Sequence, residues 1–223
     1  GFLPSLIDIH ETRPTGLHTL YISPLKALAV DIARNLEAPS KEMRLGVRIE
    51  TRTGDTPIEK RQRQRRDPPD ILLTTPEQLA LLLSHKDAGD LFGGLRTIVL
   101  DELHAIENTK RGDLLALGLG RLASLAPRAR RVGLSATVAD PDRLRRYLVP
   151  QFPGHERMAD LVVADPGAAP DVAILRTRER IPWAGHRGAY AMPDIMAAIK
   201  AVRSALLFVN TRSQAEASFQ ALW

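Results

Sequence analysis

The run Ile98-Val99-Leu100-Asp101-Glu102-Leu103-His104 changes character at its fourth residue, where three β-favouring apolar side chains give way to two carboxylates and then an imidazole. An unbroken apolar run of this kind suits a strand covered by helices on both faces, as in a parallel sheet. In such sheets ligand-binding groups gather at the carboxyl ends of the strands. A strand-end aspartate can hold Mg²⁺ on the β- and γ-phosphates of a nucleotide while a neighbouring group positions or deprotonates the attacking water. Asp101 as metal ligand and Glu102 as base fit those roles, with His104 beside them. The same pair also reads as a turn or helix cap, so the rest of the chain has to decide.

Outward from this run, short apolar stretches at 18–23, 47–51, 70–74, 131–135 and 205–209 alternate with longer helix-patterned ones. That alternation predicts βαβ units and an α/β fold with a parallel sheet flanked by helices. The residues after each stretch carry the chemistry. Gly133-Leu134-Ser135-Ala136-Thr137 places the hydroxyls of Ser135 and Thr137 at a strand end, where they can relay a change at a phosphate or simply cap a helix. A serine-hydrolase reading of Ser135 with His104 and Asp101 fails, because a nucleophile elbow needs G-x-S-x-G and Thr137 occupies the second glycine position.

Ser23-Pro24-Leu25-Lys26 and Thr75-Pro76-Glu77 repeat one pattern, a strand followed by a hydroxyl, a proline and a helix. The hydroxyl suits an N-cap and the proline the first helical position, which predicts two helix N-termini on one sheet edge, each able to meet a phosphate. Strand-to-helix caps are common, so either alone also reads as structural. With Arg52-Thr53-Gly54-Asp55-Thr56, whose glycine admits close backbone approach, they suggest a track for a sugar-phosphate backbone. The run Lys60-Arg61-Gln62-Arg63-Gln64-Arg65-Arg66 reads either as a solvated helix face or as a patch that steers nucleic acid. Trp183 reads either as core packing or as a base-stacking aromatic.

Composition narrows the class. The 223 residues carry 31 Lys+Arg against 26 Asp+Glu, a net charge of +5 and a pI near 9.9, on the basic side expected of nucleic-acid binders. With 44% hydrophobic residues the chain can bury a sizeable core. There is no cysteine, which excludes disulfides, thiolate nucleophiles and zinc-cysteine sites and fits a cytoplasmic location. No apolar stretch approaches the roughly 20 residues of a membrane span. At about 150 residues per domain the length suggests one domain and part of another. Proline and glycine break the pattern between 150 and 193, so the expected organisation is a first domain at 1–150, a connector at 151–193 with short extended pieces such as 161–164, and the beginning of a second domain at 194–223. Gly1 opens the chain without an initiator methionine or signal-peptide features, and both ends read as cut.

The ordered set of motifs, together with Phe208-Val209-Asn210-Thr211-Arg212-Ser213-Gln214-Ala215-Glu216 and Ile181-Pro182-Trp183-Ala184-Gly185-His186, resembles superfamily-two helicases of the DExH type. Within them it is most similar to the large helicase-related (Lhr) proteins, in particular their ligase-associated bacterial branch. The resemblance implies two RecA-like domains, the first lacking its opening strand and phosphate loop here and the second only begun. It implies an ATP-driven motor moving 3′ to 5′ on DNA, as a single strand or a duplex with a single-stranded tail, in DNA repair, with a ligase or nuclease among the implied partners. By the matching motifs, ATP and Mg²⁺ are the cofactors. Asp101 would bind the metal, Glu102 would act on water, and His104, Ser135 and Thr137 would couple nucleotide state to movement. Ser23, Lys26, Arg52, Thr53, Gly54, Asp55, Thr75, Asn210 and Arg212 would lie along the strand.

Two departures from the family pattern matter: no G-x-x-x-x-G-K-[ST] phosphate loop occurs in these residues, and the later motifs of the second motor domain, including the arginine that would complete the ATP site, are missing. The 223 residues by themselves are therefore expected to lack ATPase activity. A non-catalytic nucleic-acid-binding module and an RNA helicase remain competing readings, because backbone contacts do not distinguish sugars.

Overall fold

The computed structural model describes residues 2–136, 138–165, 167–178, 183 and 188–223. The chain divides into two compact units, Gly1–Val162 and Val163–Trp223. The first runs α1 (Leu3–Thr12), β1 (Thr19–Ile22), α2 (Lys26–Glu42), β2 (Ile49–Arg52), α3 (Ile58–Arg66), β3 (Ile71–Thr74), α4 (Pro76–Leu83), α5 (Ala88–Phe92), β4 (Thr97–Leu100), α6 (Leu103–Ile106), α7 (Lys110–Leu125), β5 (Arg130–Gly133) and α8 (Pro141–Leu148).

The five strands form one sheet in the order β2-β3-β1-β4-β5, every pairing parallel. Successive side chains of a strand point to opposite faces, and both faces here are covered. Leu20, Ile22, Leu72, Ile98 and Leu100 face a core with Leu79 and Leu82 of α4, Phe92 of α5 and Leu115, Leu119 and Leu122 of α7. Tyr21, Ile71, Leu73 and Val99 face the other way, against Ile9 of α1 and Ala29 and Ala33 of α2. Two apolar faces explain why these strands read as continuous rather than alternating apolar runs.

Register decides where the polar residues go. Arg52, Thr74, Ile22, Leu100 and Gly133 stand side by side as the last paired residues of β2, β3, β1, β4 and β5. Thr53, Thr75, Ser23, Asp101 and Leu134 follow them along one edge. The connection out of β1 leads toward β2 and that out of β4 toward β5, so the order reverses between β1 and β4. That reversal is where ligands bind in open α/β sheets.

The second unit contains a 3₁₀ turn at Ala189–Ala191, α9 (Met192–Lys200) and α10 (Arg212–Leu222), the last capped by the Thr211 hydroxyl, which accepts from the Gln214 N–H at 3.2 Å. The stretch 205–209, expected as a strand, forms none. A strand exists only by pairing, and no other strand lies in the described residues of this unit, leaving Leu206 and Phe208 86% and 87% exposed. The extended piece expected at 161–164 also forms no strand. Trp183 is fully exposed, so it does not pack in a core.

Candidate active site and nucleic-acid interface

β4 ends at Leu100, and the backbone N–H of Asp101 still donates to the Ile22 carbonyl of β1 at 2.9 Å, which fixes Asp101 at the reversal point. Its carboxylate is held on both sides: Oδ1 accepts from the Glu102 N–H at 3.0 Å, and Oδ2 accepts from the Tyr21 phenol. Each carboxylate oxygen has a second lone pair to offer. Burial first, then the hydrogen bond to Asp101, pushes the Tyr21 phenol far above its ordinary range, so it stays a donor. The Tyr21 contact was not read from the sequence. A lone tyrosine in the buried run Thr19-Leu20-Tyr21-Ile22 was the available signal, since a buried phenol needs a partner.

Glu102 has φ +49°, the left-handed region that a non-glycine residue occupies at a cost of order 1 kcal/mol or more. This kink lets α6 start at once and brings His104 back over the strand end. The Ala136 N–H donates to His104 Nδ1 at 3.3 Å, with the Ser135 hydroxyl 3.2 Å from the same nitrogen. Nδ1 is thereby the bare, accepting nitrogen and Nε2 carries the hydrogen. Nε2 lies 3.2 Å from Glu102 Oε2. A continuous polar chain thus runs from the loop after β5 through His104 to Glu102, beside Asp101. Four of the five residues expected here meet at one sheet end; the fifth, Thr137, lies outside the described residues.

The expected strand-track residues lie along the same edge, with differences. Thr75 stands at the N-cap position of α4 and Pro76 is its first residue, as the hydroxyl-proline pattern predicts, but the Thr75 hydroxyl makes no capping hydrogen bond to the helix. Glu77 in that first turn pairs with Arg111 of α7. Ser23 departs from the pattern. Its N–H continues the ladder to the Thr74 carbonyl at 3.0 Å, and the N-cap of α2 is Leu25. The Ser23 hydroxyl instead accepts from the Leu25 N–H at 3.4 Å. Lys26, the first residue of α2, reaches Asp55 at 2.7 Å, both side chains exposed. Gly54 is exposed, and an added Cβ there would meet nothing within 4 Å. Nothing inside the protein requires a glycine at this position.

Arg52 and Thr53 are buried. The Arg52 guanidinium lies under α3, where Nη1 donates to the Arg61 carbonyl at 2.9 Å and Nε has no partner among the described residues. Burial, then the charges of Arg61 and Arg65, pull its pKa down to about 10. The basic run is neither a bare patch nor a merely solvated face. Arg63 donates to both Glu50 oxygens at 2.7 and 2.6 Å, buried Gln64 to Glu50 at 2.9 Å and the Thr51 carbonyl at 3.1 Å, and Arg65 approaches Asp87 at 3.4 Å. The Arg63 and Gln64 contacts staple α3 to edge strand β2, and Arg65 ties it to the start of α5. Arg61 turns toward the 53–56 loop. Asn210 and Arg212 belong to the second unit. The Asn210 N–H donates to Gln214 Oε1 at 3.3 Å, and Arg212 is the exposed first residue of α10.

A parallel sheet whose strand order reverses between β1 and β4, with helices on both faces, defines a RecA-like domain. The profile of the DEAD/DEAH box helicases matches residues 1–144, and the chain belongs to that family. It is 38% identical, over 95% of its length, to the Lhr helicase/probable uracil glycosylase of Mycolicibacterium smegmatis, of which it spans 14%. It is 37% identical, over 96%, to the ATP-dependent helicase Lhr-Core of Methanothermobacter thermautotrophicus, spanning 26% of that protein. The structure of Mycobacterium smegmatis helicase Lhr bound to ssDNA and AMP-PNP superposes with a TM-score of 0.72 at 33% identity, covering 99% of this chain and 30% of that one. The chain therefore spans about a quarter or less of these two curated relatives. Among the described residues no helix is long and apolar enough to cross a membrane.

Proposed function

We propose that these residues serve in an ATP-dependent DNA helicase or translocase, where they supply the hydrolytic carboxylates and one wall of the strand track. The observation that carries this reading is the meeting of Asp101, Glu102, His104 and Ser135 at the β1/β4 reversal. Glu102 takes a proton from the attacking water. His104 and Ser135, with Thr137, convey the state of the site to the loop after β5. Ser23, Lys26, Gly54, Asp55 and Thr75 line the strand, Arg52 and Thr53 support that line from beneath, and Asn210 and Arg212 contribute from the second unit.

ATP is the expected nucleotide, although no G-x-x-x-x-G-K-[ST] phosphate loop occurs in these 223 residues. No cluster of three or more His, Asp or Glu among the described residues could hold a metal by itself. Mg²⁺ commonly arrives on phosphates and needs only one or two carboxylates. Asp101 would hold it, and the ion would neutralise charge developing on the phosphates. Movement 3′ to 5′ along single-stranded DNA, a role in DNA repair beside a ligase or nuclease, and a cytoplasmic location complete the proposal. Similarity to an ATP-dependent helicase supports the motor, similarity to helicase Lhr bound to ssDNA supports the DNA, and resemblance of the motifs to the ligase-associated branch supports the repair setting.

Phosphate release by the full-length protein tests the reading: turnover stimulated by single-stranded DNA is expected, and turnover indifferent to DNA would overturn it. A second reading, a nucleic-acid-binding module without a motor, is favoured by the missing phosphate loop alone. Nucleotide binding by the full-length protein would dispose of it.

A further inference from the structure

The guanidinium of Arg61 reaches back from α3 to the loop between β2 and α3. Its Nε donates to the Thr56 carbonyl at 2.7 Å, and its Nη2 to the Thr53 carbonyl at 3.3 Å and to the Gly54 carbonyl. Three carbonyls of one short loop are thus drawn toward one side chain. Every peptide bond among the described residues is trans, and in a trans peptide the N–H points away from its own carbonyl. The Thr53 carbonyl also accepts from the Thr56 N–H of its own turn at 3.2 Å, and Arg61 braces it from α3, so this peptide's Gly54 N–H points outward. That N–H has no hydrogen-bond partner among the described residues, and the space over Gly54 is open. The Asp55 N–H of the next peptide is tied to Thr53 Oγ1 at 3.3 Å. Lys26 arrives beside it through Asp55.

We propose that Arg61 is a positioning residue for nucleic-acid binding: it holds the 53–56 loop so that the Gly54 N–H faces a backbone phosphate, without touching the strand itself. This rests on the strand-track reading above and deepens it. Only a planar, forked donor reaches several carbonyls at fixed angles, so lysine is no substitute. Arg52 completes the device from below, its Nη1 fixing the Arg61 carbonyl. The basic residue at this point of α3 is thereby used for geometry rather than for charge.

The two uses differ in their salt dependence. A neutral N–H contact releases few counterions, whereas each cation placed on a single-strand phosphate adds about 0.7 to the slope of log affinity against log salt. The experiment is fluorescence anisotropy of the full-length protein with a labelled oligo(dT) across a salt series, for Arg61→Ala, Arg61→Lys and Gly54→Val, with thermal melts alongside. Expected for Arg61→Ala is binding weaker by about tenfold, the loss of one charge-assisted contact, at every salt concentration and with an unchanged slope. Arg61→Lys is expected to be nearly as weak, and it carries the test if the alanine variant does not fold. Gly54→Val is expected to weaken binding while melting normally, because its Cβ has open space inside the protein. A slope reduced by about 0.7 in Arg61→Ala, or full rescue by lysine, would make Arg61 a direct phosphate contact and overturn the proposal. Normal binding by Arg61→Ala beside weak binding by Gly54→Val would overturn it and leave the track standing. Normal binding by both would overturn the track as well.

Discussion

Glu102 sits in a left-handed conformation with His104 Nε2 3.2 Å from its carboxylate, and His104 Nδ1 is spoken for by Ala136 and Ser135. The imidazole can therefore report on Glu102 only through its one N–H, and on the loop after β5 only through its bare nitrogen. Removing the Ser135 hydroxyl leaves Asp101 and Glu102 in place but loosens the loop side of that chain. For Ser135→Ala in the full-length protein, ATP turnover is expected to stay within a few-fold of wild type while strand displacement falls roughly tenfold, a size usual for coupling between sites. Parallel assays of phosphate release and duplex unwinding check this, and equal losses in both would place Ser135 in the chemistry or in folding. At this scale much was legible. The carboxylate pair, the histidine and the serine are adjacent in sequence or follow neighbouring strands, so the topology alone brings them together. The contacts of Tyr21, Arg52 and Arg61 were not, because each depends on which way a long side chain turns once two elements are packed.

The secondary-structure elements explain where the reading slipped. Five of the six expected strands form within a residue or two of their expected bounds, since β-branched and leucine-rich runs between helix patterns leave little alternative. α2 begins at Lys26 rather than at the proline because Ser23 is still paired in the sheet. Stretch 205–209 has the right residues but no partner strand, and pattern cannot supply one. α7 offers a sharper test of packing. The Gly112 N–H donates to the N-cap Thr109 hydroxyl at 3.2 Å, and its carbonyl accepts from the Tyr147 phenol at 2.7 Å. A Cβ there would lie 2.4 Å from the Ile106 carbonyl oxygen and 2.6 Å from that of Glu107. Backbone cannot yield as a side chain can, so Gly112→Ala is expected to cost about 2 kcal/mol or more, seen as a lowered melting temperature. An unchanged melt would show that the α6–α7 turn adapts.

The Glu77–Arg111 pair between α4 and α7 makes a pH prediction. The Arg111 hydrogen bond, working against partial burial, depresses the Glu77 carboxyl from 4.5 to about 2. A depressed acid contributes stability that is complete above its unfolded value and is lost as pH falls toward the folded one. Both side chains are partly exposed, so the contribution is no more than about 1 kcal/mol. The melting temperature of wild type is expected to fall more steeply between pH 4.5 and 2 than that of Glu77→Gln. Identical profiles would mean that the pair adds nothing.

For the whole molecule, the parallel sheet and its ligand edge were legible because an alternating βα pattern admits few topologies. The strand order was not, since nothing in the sequence says that β3 lies between β2 and β1. The 223-residue chain carries the carboxylates and strand-track residues of the proposal but no phosphate-loop motif. It is expected to bind single-stranded DNA weakly with a shallow salt slope of about 0.7 per phosphate contact and to release no phosphate from ATP. Anisotropy and a phosphate assay on the pure polypeptide check both, and hydrolysis by it would contradict the assignment of that loop to other residues. The most direct test of the hydrolytic site is Glu102→Gln in the full-length protein, with nucleotide binding and DNA-stimulated turnover measured side by side. Loss of a general base predicts turnover reduced by roughly 100-fold or more with ATP still bound. Turnover retained near the wild-type rate would contradict the account.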